Sequence, residues 1–210
     1  MMFENRQQAG KLLTQKLKKY KRKDVVVLGI PRGGVVVAKK VASILELPLD
    51  IIVVKKIGAL NNPELAIGAV GPGNAVYWDK DLIERLGVSK VESSKFKVQS
   101  SKERKEREKA LRKERGPINA KEKAVILVDD GVATGATVMA AQKALEKMGA
   151  ARVILAIPVI SKETLNDIKR YFDKVIALSV EEEFYAVGQF YKEFPQVTDQ
   201  EVIKLLEARD

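Results

Sequence analysis

Residues 124–137 read AVILVDDGVATGAT. Five apolar residues with a β-branched bias, too few for a stable helix, read as a strand buried on both faces. Two acids, Asp129 and Asp130, stand at its carboxyl end. Small residues follow: Gly131, Val132, Ala133, Thr134, Gly135, Ala136 and Thr137. Then Val138, Ala141, Ala144, Leu145 and Met148 recur at helical spacing, and Gly149 takes the position just past the last turn. A strand–loop–helix unit of this kind gathers loop N–H groups and the positive end of a helix dipole at one point, which makes a cradle for phosphate. Glycines let the backbone approach closely, and threonine hydroxyls can donate. Adjacent carboxylates repel a phosphate, but they accept hydrogen bonds from vicinal hydroxyls and favour a magnesium ion nearby. The combination suits a sugar phosphate. It is neither a GxxxxGK[ST] loop nor a GxGxxG loop.

Working outward, the same kind of buried strand recurs at 24–30, 49–54, 152–157 and 174–178. Helical patterns lie between them. Ala9, Leu12, Leu13 and Leu17 place a helix over 5–20, and another runs from PRGG (31–34) to about Leu47. Ser161 caps a helix through about Phe172, and a capping box, Thr198 to Glu201, opens the last one. Alternating strands and helices predict an α/β domain: a parallel sheet of about five strands flanked by helices. Ligands bind such sheets at the carboxyl ends of the strands.

Two regions depart from the alternation. Residues 58–123 read as a flexible loop, rich in Gly, Pro and Asn to about 75, followed by a charged helical insertion. Residues 179–210 read as a hood segment and helix, with five of the chain's twelve aromatics between Phe184 and Phe194. The whole chain, 1–210, is taken as one domain of that kind.

The chain has no cysteine and no histidine, which removes disulfides, thiol chemistry, Ser-His triads and most zinc sites. A metal here must accept oxygen ligands, which points to magnesium. The formal net charge is +10, and residues 90–123, with 13 Lys/Arg against 6 Asp/Glu, hold +7 of it. Within 100–116 both signs mix at helical spacing, pairing Glu103 with Arg107 and Glu108 with Arg112, so a solvated helix outranks a nucleic-acid contact. The lack of an 18-residue apolar run, or of an apolar signal core at the N-terminus, leads to the expectation of a cytoplasmic protein with no membrane contact.

The segment 124–137 resembles the motif by which type I phosphoribosyltransferases bind PRPP, the ribose 5-phosphate that carries a diphosphate on C1. The resemblance implies that Asp129 and Asp130 hold the ribose 2- and 3-hydroxyls and that Gly131 through Thr137 hold the 5-phosphate. Two further stretches are similar to family loops. GIPRGG (29–34) resembles the pyrophosphate loop, implying Arg32, Gly33 and Gly34 as its ligands. VVKKIG (53–58) resembles the basic pair that reaches the diphosphate, implying Lys55 and Lys56. Alone, PRGG is a turn and the lysines a charged strand end. Three strands in order, each ending in the expected chemistry, say more than any one.

NPELAIGAV (62–70) and FYAVGQFYKEF (184–194) are similar to a group of uncharacterised phosphoribosyltransferases. The second also resembles the base-binding end of purine salvage enzymes, which implies Tyr185 and Val187 beside the base. The implied catalytic set is Asp129, Asp130, Arg32 and Lys56. Magnesium is implied as carried by PRPP near the acid pair, without dedicated protein ligands. The acceptor is a nitrogenous base that the residues do not name, because Gly131-Val132-Ala133 offers no third acid as a general base. Dimers are common in the family. Closure of 58–75 over the site is a further expectation. Three readings compete: a transferase, a non-catalytic PRPP-sensing regulator that binds nucleic acid through 90–123, and a PRPP-using hydrolase or synthase.

Overall fold

The computed structural model describes residues 1–59, 62–117 and 119–208. In chain order the strands are β1 (Val25–Gly29), β2 (Leu49–Ile51), β3 (Lys55–Ala59), β4 (Asn62–Val70), β5 (Val76–Trp78), β6 (Ala124–Val128), β7 (Arg152–Ser161) and β8 (Lys174–Glu181). The helices are α1 (Arg6–Leu17), α2 (Gly33–Leu45), α3 (Lys80–Arg85), α4 (Lys90–Arg112), α5 (Ala136–Lys147), α6 (Lys162–Ile168) and α7 (Asp199–Glu207).

Five strands form a wholly parallel sheet in the order β2-β1-β6-β7-β8. Alternation within each strand explains why the runs are apolar throughout. Val25 and Val27 of β1, with Ile126 and Val128 of β6, face α1 and α2. Val26 and Leu28, with Val125 and Leu127, face α5 and the Ile168–Phe172 turn. Both faces are covered, so a strand in the middle has no polar side.

Strand order reverses between β1 and β6: the chain leaves β1 outward to β2 and later returns to β6 on the other side. A crevice opens there, between the carboxyl ends of β1 and β6. The two loops singled out above, after β1 and after β6, border it.

The region 55–123 is more ordered than the sequence suggests. Strands β3, β4 and β5 form a second, antiparallel sheet, so much of 58–75 is sheet rather than loop. Ile57, Ile67 and Val70 form its core, with Trp78 and Phe96 packed against it. Gly68 permits the close fit, because a Cβ there would lie 2.5 Å from the Tyr77 carbonyl and 2.8 Å from the Trp78 ring. Ala69 meets Ala136 and Ala140 of α5, joining the two sheets. The strand expected at 49–54 is divided: Leu49–Ile51 stays in the parallel sheet, and the chain then crosses to β3.

Helix α4 opens with a capping box, Ser89 and Glu92. It is not wholly solvated: Ser100, Arg104, Leu111 and Arg112 are buried. The Arg112 guanidinium donates to both Asp50 carboxylate oxygens, at 2.6 and 2.8 Å, and to the Ile51 carbonyl at 2.7 Å. Glu108 accepts from Arg112 as expected. Glu103 and Arg107 turn away from each other, Glu103 to Lys55 and Arg107 to Asp199. Among the described residues no helix is long and apolar enough to cross a membrane.

Candidate active site

The crevice is a cavity of about 260 Å³. It is lined by Ile30, Pro31, Arg32 and Gly33 after β1; Lys56 of β3; Asp129 to Gly135, Thr137 and Val138 around β6 and α5; and Val187 of the hood.

Both α2 and α5 begin at this cavity, and neither has a side-chain cap on its first N–H groups. Arg32 stands at the N-cap position of α2 and Gly135 at that of α5. Gly135 has φ +77°, a backbone that favours glycine, and a Cβ there would meet Thr164 and Ile168. Two helix ends with free donors and positive dipole ends thus point into one crevice. The loop before α5 is held by the sheet: Val132 N–H donates to the Val159 carbonyl, Ser161 N–H to the Val132 carbonyl, and Thr164 hydroxyl to the Ala133 carbonyl. The Pro31–Arg32 peptide is cis.

The acid pair sits between the helix ends. The Asp129 carboxylate accepts from the Asp130 N–H at 2.9 Å. Burial, and then the charge of Asp130, push the Asp129 pKa well above the usual carboxylate range. Gly34 allows α2 to start against this strand end, since a Cβ there would be 2.8 Å from Asp129 Cα. Gly34 itself shapes the wall from behind rather than lining the cavity.

The Asp130 carboxylate has a partner that sequence reading missed. Arg6, the first residue of α1, donates from Nε to Asp130 Oδ2 at 2.7 Å. Its Nη1 donates to the Pro195 carbonyl at 2.8 Å, and its guanidinium lies 3.7 Å from the centroid of the Phe194 ring. Tyr191 hydroxyl donates to the Asp130 backbone carbonyl at 2.6 Å, and burial raises its pKa. One signal for Arg6 existed. A cation in the first turn of a helix opposes the dipole, so an arginine there needs another reason.

The basic residues divide. Arg32 lines the cavity, with Nη1 3.9 Å from Asp199 Oδ1. Lys56 also lines it, whereas Lys55, on the opposite face of β3, reaches Glu103 at 3.0 Å. Ala136, placed with the phosphate loop on sequence grounds, turns its methyl to Ala69 and Ala140. Val187 packs over Gly131, where a Cβ would be 2.5 Å from it. Tyr185 is 86% exposed and does not line the cavity.

Donor-rich helix ends at the switch point of a doubly wound α/β domain are an arrangement suited to phosphate. Comparison with known proteins narrows that class. Residues 3–193 match the phosphoribosyl transferase domain, and the chain belongs to that family. A Thermus thermophilus protein of known crystal structure is 39% identical, with TM-score 0.83 over 98% of both chains. A Mycobacterium tuberculosis protein, provisionally named a phosphoribosyl transferase, is 37% identical over 206 residues. The chain spans about half the length of such curated relatives, 46%. A purine phosphoribosyltransferase from Pyrococcus horikoshii shares the fold, at 21% identity and TM-score 0.50 over 90% of each chain.

Proposed function

We propose that this domain binds PRPP with magnesium and transfers its phosphoribosyl group to a nitrogenous base, releasing pyrophosphate. The observation that carries the reading is the convergence of three separate segments on one cavity: 30–33 after β1, Lys56 within β3, and 129–135 after β6. Each brings the group that one part of PRPP needs. The uncapped end of α5, with Thr134 and Thr137, receives the 5-phosphate. Asp130 and Asp129 receive the ribose hydroxyls. Arg32, the amide group at Gly33 and Lys56 receive the diphosphate, with Gly34 behind them.

In the reaction the C1–O bond to the diphosphate breaks and a C1–N bond forms. The bond electrons leave with the pyrophosphate, and the acceptor nitrogen loses a proton. Negative charge grows on the leaving group, where Arg32 and Lys56 stand, so rate enhancement comes from positioning and electrostatics. No group of three or more metal-binding side chains occurs among the described residues. The acids present fit a magnesium ion that arrives on the substrate's phosphates, where it would neutralise charge on the leaving group. Val187, which packs over Gly131, would contact the base, whereas Tyr185 would have to turn inward to do so.

The regulatory reading rests on α4, and much of that helix is engaged. Arg104, Arg107 and Arg112 are paired with Glu108, Asp199 and Asp50. Calorimetry with magnesium–PRPP tests the proposal. The wild type should bind, and Asp129→Asn/Asp130→Asn should not. A folded wild type that fails to bind would overturn the reading.

A further inference from the structure

Arg6, which does not line the cavity but meets its acid pair through Asp130, has no role in the site so far. It is buried, with a side chain 9% exposed. Burying a guanidinium is costly unless its donors are used and its charge is matched. Here they are: Asp130 Oδ2 supplies the charge, the Pro195 carbonyl takes a second donor, and the Phe194 face covers the plane. The loop after β1 is pressed against the same pair. A Cβ on Gly33 would lie 2.7 Å from Arg6 Nε and would collide with Asp130 Oδ2. Arg6 is therefore wedged between the sugar carboxylate, the diphosphate loop and the hood.

We propose that Arg6 is a positioning residue: it fixes one oxygen of Asp130, leaves the other directed to the sugar, and ties that carboxylate to the hood through Pro195 and Phe194. The inference rests on the sugar-phosphate reading of the cavity and adds to it a specific dependence. An aspartate side chain free to rotate would offer its two oxygens interchangeably and would lose entropy when a hydroxyl bound. With Oδ2 held by a charge-assisted bond, that ordering is complete before the ligand arrives. Nothing in this role requires Arg6 to touch the ligand. Its effect should then follow the ribose hydroxyls and not the diphosphate.

The test compares three ligands on the full chain by calorimetry: magnesium–PRPP, ribose 5-phosphate and inorganic pyrophosphate. Arg6→Gln should weaken both ribose ligands by about two- to ten-fold, the worth of ordering one side chain on binding. Pyrophosphate affinity should stay as in the wild type. Arg6→Lys keeps the charge but loses the fork, so it should recover only part of the loss. In an Asp130→Asn background, Arg6→Gln should add nothing further. Should Arg6→Gln fail to fold, Phe194→Leu loosens the same guanidinium and should show the same ligand pattern at smaller size. Equal loss for all three ligands, or none, would overturn the inference while leaving the transferase reading intact. A folded wild type that binds none of the three would overturn both.

Discussion

Strands β1 and β6 end in loops that line the cavity, and every residue from Val125 to Val128 is buried. Strand β3 of the antiparallel sheet places Lys56 at the cavity and turns its neighbour Lys55 to α4. The parallel sheet supplies position: its strand ends are fixed by neighbours on both sides and helices on both faces. The antiparallel sheet supplies one charge, from an element with its own small core, Ile57, Ile67 and Val70. A rigid frame and a separately cored arm meet at one cavity, the frame lining it with the loops after β1 and β6 and the arm with Lys56. On the proposed function the first would hold the sugar phosphate and the second would meet the leaving group.

Unequal responses to similar damage would establish this division. Leu127→Ala, in the middle of the parallel sheet, should cost about 3–5 kcal/mol, read from urea denaturation. Ile67→Ala removes a side chain just as buried, yet its cost should fall on the arm. Amides of β4 and β5 should exchange faster while those of β6 keep their protection. Uniform loss of protection would mean that the two sheets open as one unit. Arg112→Leu cuts the link from α4 to the parallel sheet and should cost about 3 kcal/mol, because it breaks a buried ion pair. A cost below that of an ordinary surface substitution would show that α4 is held by other contacts.

Smaller effects sharpen the contrast within β3. Lys56→Ala should weaken pyrophosphate binding about ten-fold, the loss of one charge-assisted contact. Lys55→Ala should leave binding unchanged and alter stability by under about 1 kcal/mol, since its pair with Glu103 is half exposed. Equal effects would mean that the strand turns over in solution.

The gentlest change concerns pH. Asp129 has a raised pKa in the fold. The native protein therefore keeps a proton that the unfolded chain releases, and stability from this group falls as pH rises out of the ordinary carboxylate range. Asp129→Asn should be more stable than the wild type at neutral pH, with the difference shrinking under acid. Urea midpoints across pH would show it, and a constant difference would contradict it.

The central strands could be read from sequence because strands covered on both faces leave continuous apolar runs. Their ends were harder. The run 152–157 stops where Pro158 lacks an N–H, yet β7 continues to Ser161 beside β8. Strands β3 to β5 hid because Ala66, Gly68 and Ala69 stand between and beside the core residues Ile67 and Val70, and these small residues blur any alternation of apolar and polar. The acid pair, the loop 131–135 and Arg32, which line the cavity, stood out because they are short runs of adjacent residues. Arg6 left only its place in a helix's first turn as a signal, since it meets Asp130 across 124 positions of chain.

That separation bears on how the domain is made. Arg6 leaves the ribosome well before its partners, and the Pro195 carbonyl that accepts from it follows 189 residues later. At synthesis rates of about 5–20 residues per second, the interval is on the order of ten to forty seconds. Once β6 has followed, in the last third of that interval, the β1–β6 crevice can assemble, but its arginine has no lid. Phe3, which bridges to Tyr191, waits in the same way. The nascent chain thus carries an open, unfinished pocket until the hood emerges, and a stretch translated late closes over one translated early.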